Sequence, residues 1–192
     1  MSEQTPWVTY LLLALNVVMF VITIAMNGGG DFTTRLLYDL GAVTNDTLER
    51  HDYWRLVAAA FLHGSFLHIF MNMICLVQWG PPVEARMGPL PYLAIYLISA
   101  VAGTTTSILL HGEPFISVGA SGALSGLVGA LLALSLLGQI GISSQFFVSI
   151  IGLNVVIMAT SSQIDWMSHL GGFIAGLIAT TVLAKVLHRR EI

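Results

Sequence analysis

Residues 118–137 read VGASGALSGLVGALLALSLL, an apolar run with no charged side chain and with Ser121 near its start. A bilayer core takes about 20 apolar residues in helical form. In lipid, a helix lets a segment form hydrogen bonds to all of its own backbone N–H and C=O groups. A polar group placed in such a run is costly and marks a functional site by default. The stretch therefore predicts a membrane helix that carries a candidate nucleophile.

The same hydrophobic character extends over the whole chain of 192 residues, which is 56% hydrophobic and 9% charged. Soluble domains carry about 25% charged residues, so the composition indicates an all-α integral membrane protein. One domain over residues 1–192 is expected. Six runs approach the length of a membrane helix: 7–26, 62–79, 90–110, 118–137, 143–160 and 166–187. Gly80-Pro81-Pro82 is expected to end the second helix, because proline does not continue a helix well.

The connection at residues 27–61 is the one long loop, and it mixes Asp, Glu and Arg with Leu, Tyr and Trp. This mixture predicts an amphipathic element at the membrane interface. Lys185, Arg189 and Arg190 favour a cytoplasmic C-terminus, and an even number of helices then places both termini in the cytoplasm. The net charge of −3 gives no sign of nucleic-acid binding, and the single cysteine, Cys75, excludes an internal disulfide.

Four polar residues are expected at one depth in the membrane. The second, fourth and sixth helices run in the same direction, and His68 with Asn72, Ser121 and His169 lie early in these three helices. Ser121 and His169 each follow their predicted helix start by about three residues, which at about 1.5 Å per residue is a similar depth. The pattern therefore predicts a polar site built on three parallel helices.

The chemistry of these residues suggests nucleophilic catalysis. A serine becomes a useful nucleophile when a base within hydrogen-bond reach takes its proton, and histidine suits this role near neutral pH. Small residues that would let the two helices approach closely are present. They are Gly119, Gly122, Gly126, Gly172 and Gly176. The alternative is that these glycines serve helix packing alone.

His68 and Asn72 are four residues apart and so share one helix face. Both can donate hydrogen bonds to a developing oxyanion, together with the backbone N–H of Ser121. The alternative is a buried polar pair that bridges helices. We expect neither a metal nor a cofactor at this site.

These residues, taken together, resemble the rhomboid family of intramembrane serine proteases. The resemblance covers roughly residues 54–176. Its motifs are Trp54-Arg55, His63-x4-His68-x3-Asn72, Gly80-x3-Glu84-x-Arg86-x-Gly88, Gly119-Ala120-Ser121-Gly122 with Gly126 and Gly129, and His169-Leu170-Gly171-Gly172 with Gly176.

The resemblance implies a bundle of six transmembrane helices with a long membrane-associated loop between the first two. It implies that Ser121 is the nucleophile, that His169 is the general base, and that His68 and Asn72 stabilise the oxyanion. Substrates would be single-span membrane proteins, cleaved within lipid near the outer face of a bacterial cytoplasmic membrane. Substrate entry would be gated by residues 111–118 and 143–160. Ser125 departs from the family pattern, in which an aromatic residue stacks on the catalytic histidine.

Three other polar residues are assigned structural roles. Asp165 is predicted to cap the sixth helix, the alternative being the acid of a catalytic triad. Glu84 and Arg86 are predicted to form a pair that orders the loop on the membrane face opposite the dyad.

Two other classes of function compete with the protease. A catalytically silent relative that binds membrane clients would typically lack the serine or the histidine. A small transporter would be expected to show broken helices in matching halves and carboxylates at mid-depth. No Asp or Glu lies at mid-depth in any of the predicted helices.

Overall fold

The computed structural model describes residues 5–28, 32–150, 152 and 165–188, and most of them are helical. Two short strands pair with each other, and a single turn of 3-10 helix covers Ala59–Phe61. A helix called α7 here begins at residue 144 and is followed to 150. In chain order the other elements are α1 (Trp7–Asn27), α2 (Thr34–Leu40), β1 (Val43–Thr44), α3 (Arg55–Ala58), α4 (Phe66–Met87), α5 (Pro89–Leu110), β2 (Ile116–Ser117), α6 (Ser121–Leu136) and α8 (Trp166–His188).

The prediction of an all-α membrane bundle is confirmed. Within the part of the chain that the structure describes, four helices, α1, α4, α5 and α8, are long and apolar enough to cross a bilayer. The fourth predicted helix, α6, is apolar but has 16 residues, which corresponds to about 24 Å at about 1.5 Å per residue. Half of the fifth predicted helix, 143–160, lies outside the described residues.

Helix α6 is the centre of the bundle and packs against α4, α5 and α8. Leu127, Leu131 and Leu134 are fully buried, and so are Tyr92 and Tyr96 of α5. A helix that is apolar around its whole circumference suits either lipid or the interior of a protein. Its contacts with α4, α5 and α8 place α6, and the serine at its start, inside the protein.

The predicted end of the second helix at Gly80-Pro81-Pro82 is wrong, because α4 continues through both prolines to Met87. Prolines remove backbone donors, but membrane helices tolerate them where neighbouring helices pack on the affected turn. Here Gly80 allows a close approach: a Cβ atom on it would lie 2.7 Å from the Tyr92 hydroxyl and 2.8 Å from Thr9. The helix ends instead at Gly88, which adopts a positive φ of 82°.

Glu84 has a different partner from the predicted one. Its buried carboxylate accepts hydrogen bonds from the backbone N–H of Val8 at 2.9 Å and from the N–H and hydroxyl of Thr9 at 2.8 and 2.7 Å. Helix α1 follows Pro6, which provides no side-chain cap. Arg86 is exposed and, within the described residues, forms no ion pair with Glu84. The predicted Glu84–Arg86 pair is therefore wrong, and Glu84 caps α1 from α4.

The long loop is folded around Arg55 over its described part, residues 32–61. The buried Arg55 guanidinium donates to the carbonyl oxygens of Tyr38 and Ala42 and pairs with Asp52 at 3.3 Å. Strand β1 within this loop pairs antiparallel with β2, the segment that leads towards Ser121. The loop is thus connected to the segment that precedes Ser121, while its association with the membrane remains a prediction.

Candidate active site

Ser121 is the first residue of α6, so the helix begins three residues later than the apolar run predicted. The preceding Gly119 has a positive φ of 125°, a conformation that favours glycine. Its N–H donates to the carbonyl oxygen of Ala59 at 2.8 Å. The turn at Gly119 and its bond to the long loop therefore fix where α6 starts and where Ser121 lies.

His68 lies directly against this turn. A Cβ atom placed on Gly119 would be 2.7 Å from both Cε1 and Nε2 of the His68 ring. The ring is in the first turn of α4, where Ser65 caps the helix by accepting the His68 N–H at 3.1 Å. Gly119 was predicted to pack α6 against α8, but it precedes α6 and faces α4 because the chain turns there. Its role in the structure is to bring His68 close to the turn that precedes Ser121.

Helices α6 and α8 touch through their backbones. A Cβ atom on Gly172 would lie 2.0 Å from the Gly122 carbonyl oxygen, and one on Gly176 would lie 2.0 Å from the Gly126 carbonyl oxygen. Gly122 follows Ser121 directly, and Gly172 follows His169 by three residues, so Gly172 and His169 share a helix face. The glycine contacts thus bring the start of α8, with His169, to the start of α6, with Ser121.

The His169 side chain is half-buried. Its Nδ1 atom is buried and has no hydrogen-bond partner among the residues that the structure describes. Ser125, at the position where the family has an aromatic residue, is half-buried. Within the described residues, no aromatic ring stacks on His169.

Asn72 is buried one turn beyond His68 in α4, and its side-chain amide donates to the His68 carbonyl oxygen at 2.8 Å. An amide group has two N–H donors, so one of them remains for a ligand. His63, just before α4, is fully buried with its ring edge-on to that of His68 at 4.9 Å between centroids. Burial, together with the neighbouring His68, lowers the pKa of His63 to about 3. His63 is therefore a neutral packing partner of His68, a contact that the sequence analysis did not predict.

Asp165 caps α8, as predicted. One carboxylate oxygen accepts the Ser168 N–H at 3.0 Å, and the other accepts the hydroxyls of Ser107 at 2.5 Å and Ser117 at 2.8 Å. Within the described part of the chain, the carboxylate makes no hydrogen bond to His169. The geometry favours the cap over a triad acid. No cluster of three His, Cys, Asp or Glu that could hold a metal occurs among the described residues.

The fold and these contacts define a multi-pass membrane protein in which serine and histidine side chains from three helices gather at one end of the bundle. The chain belongs to the rhomboid family, because the Rhomboid domain family model matches residues 50–186.

Its relatives include bacterial and plant proteins. Rhomboid protease GluP of Bacillus subtilis (strain 168) is 33% identical over 186 residues, which are 93% of this chain but 35% of GluP. RHOMBOID-like protein 5 of Arabidopsis thaliana is 32% identical over 216 residues, 93% of this chain and 69% of that protein. Putative rhomboid protease YdcA of B. subtilis is 27% identical over 158 residues, which are 80% of this chain and 75% of YdcA. The chain thus spans about a third of GluP.

Proposed function

We propose that the protein is an intramembrane serine endopeptidase with a Ser121–His169 dyad. The observation that carries the proposal is the backbone contact between Gly122 and Gly172, beside the two reactive side chains. Membrane helices have little hydrophobic reason to associate with each other, so such a contact must be built from small residues. Two relatives named as proteases, GluP and YdcA, support the same reaction class.

In the proposed reaction, the Ser121 hydroxyl oxygen attacks the carbonyl carbon of the scissile peptide. The His169 imidazole takes the hydroxyl proton and then delivers it to the leaving amine, which releases the first product and leaves an acyl ester on Ser121. Water, deprotonated by His169, hydrolyses the ester. Histidine suits this role because its neutral imidazole can take the proton and its imidazolium can deliver it again.

The negative charge that forms on the carbonyl oxygen would be stabilised at the start of α6. Backbone N–H groups in the first turn of a helix have no helical acceptor and carry the positive end of the helix dipole. Ser121 is the first residue of α6, so its N–H is available there. The His68 imidazole beside Gly119 and the second N–H of the Asn72 amide would complete an oxyanion site.

The proposed substrates are transmembrane segments of single-span proteins that arrive through lipid. Large apolar side chains remain exposed on the outside of the bundle, including Phe66 at 72% and Leu67 at 67% close to His68. Lipid or an apolar substrate helix suits such a surface, and nucleic acid does not. We place the single domain of residues 1–192 in a bacterial cytoplasmic membrane, with both termini cytoplasmic and the dyad near the outer face.

The proposal is tested by reconstituting the full chain in liposomes with a generic single-span substrate. Wild type should cleave the substrate within its membrane segment, and Ser121→Ala should not. Equal cleavage by Ser121→Ala would refute the dyad. No cleavage by wild type, with retained binding of the substrate, would instead support a silent member of the family.

A further inference from the structure

Asp165 stands where three elements meet, and its two oxygens have different partners. Oδ1 accepts the backbone N–H of Ser168 in the first turn of α8 at 3.0 Å. Oδ2 accepts the hydroxyl of Ser107, in the last turn of α5, and the hydroxyl of Ser117, in β2. One oxygen therefore caps α8, while the other joins α5 and β2 to it.

Two of these elements lead directly to a residue of the proposed dyad, and the third packs against one of them. Ser117 precedes Ser121 by four residues, in the strand that leads into the nucleophile turn. Asp165 precedes His169 by four residues, and the His169 N–H donates to the Asp165 carbonyl oxygen at 3.3 Å. Helix α5 is in contact with the same turn of α8, since a Cβ atom on Gly103 would lie 2.7 Å from the Ser168 carbonyl oxygen.

We propose that Asp165 is a positioning residue that clamps the nucleophile loop to the helix of the base, an inference that rests on the proposed dyad. An ionised carboxylate offers about four acceptor sites, and three of them are occupied here by Ser107, Ser117 and Ser168. The carboxylate thus acts on His169 and Ser121 through the backbone. It affects turnover by setting the distance between these two side chains.

Substitutions can separate the clamp from the cap. Asp165→Ser keeps a good N-cap residue but removes Oδ2, and the double variant Ser107→Ala/Ser117→Ala removes both hydroxyls while leaving the carboxylate. Asp165→Asn keeps an oxygen for the cap and adds N–H donors, which serine hydroxyls can accept. Thr33→Ala is the control, because Thr33 caps the distant α2 through the Leu36 N–H at 3.2 Å.

Turnover of a single-span substrate in liposomes is the first measurement. A misplacement of about 1 Å can cost about 100-fold in rate, so kcat should fall about 10- to 100-fold in Asp165→Ser and in the double serine variant, with KM unchanged. Asp165→Asn and Thr33→Ala should stay near wild type. A wild-type kcat in Asp165→Ser would refute the clamp. A loss of about 10⁴ in Asp165→Asn would instead identify a catalytic acid.

Amide hydrogen exchange measures the clamp without any turnover. The Gly119 N–H, bonded to Ala59, reports on the nucleophile loop, and local opening accelerates exchange. Its exchange should be faster in Asp165→Ser and in the double serine variant and unchanged in Thr33→Ala. Unchanged exchange in all variants would overturn the clamp. If wild type cleaves nothing, the proposed function fails, and the exchange result still decides whether Asp165 holds the two elements together.

Discussion

Replacing Gly172 by alanine should separate Ser121 from His169. The new Cβ atom would lie 2.0 Å from the Gly122 carbonyl oxygen, whereas ordinary contact begins at 3.4 Å, so the two backbones must part by about 1.4 Å at this point. Because a misplacement of about 1 Å can cost about 100-fold in rate, we expect kcat to fall by about 100-fold or more. Overpacking of this kind also costs about 1–3 kcal/mol of stability.

The assay is single-span substrate cleavage in liposomes, with the thermal midpoint measured in parallel so that rates are compared only where each variant is folded. Gly141→Ala is the matched control, because a Cβ atom there would meet nothing within 4 Å. It should behave as wild type. Normal kcat and normal stability in Gly172→Ala would refute the conclusion that this glycine contact positions the dyad.

Three further predictions test other parts of the structure. His68→Ala and Asn72→Ala should each slow cleavage by about 10²–10³-fold in kcat without abolishing it, because the Ser121 N–H remains; wild-type rates in both would show that the pair is only structural. Arg55→Lys should lower the free energy of unfolding by about 2 kcal/mol, because lysine cannot reproduce hydrogen bonds to the Tyr38 and Ala42 carbonyls; an unchanged denaturation midpoint would contradict this. Glu84→Ala should lower the free energy of unfolding by about 1–3 kcal/mol, because the backbone amides of α1 lose their acceptor. When variants are compared at the same folded fraction, kcat should be unchanged. A changed kcat would show that this end of the bundle is coupled to the end that holds Ser121.

The membrane class and the gathering of polar residues followed from the sequence because both depend on local patterns. Apolar runs predict helices wherever they lie, and the common direction of α4, α6 and α8 brings His68, Ser121 and His169 to one end of the bundle. The Asp165 cap was also predictable, since an N-cap is a contact within its own helix turn. The assignment of catalytic roles to these residues remains a proposal.

Contacts between distant segments could not be predicted from the sequence. Glu84 was paired with Arg86 because the two are close in sequence, but the unsatisfied amides that it caps belong to Val8 and Thr9 of another helix. The continuation of α4 past Pro81 and Pro82 likewise depends on packing against α1. Local propensity is a weak guide where tertiary contacts decide the outcome.

The central claim is that His169 activates Ser121, and a fluorophosphonate probe tests it most directly. Such a probe reacts with an activated serine oxygen, forming a phosphorus–oxygen bond and releasing fluoride, so mass spectrometry of the labelled full chain locates the adduct. We predict a single adduct on Ser121 in wild type and none in His169→Ala, where Ser121 is present but has no base. Equal labelling of Ser121 in His169→Ala, or an adduct on Ser125 instead, would contradict the account.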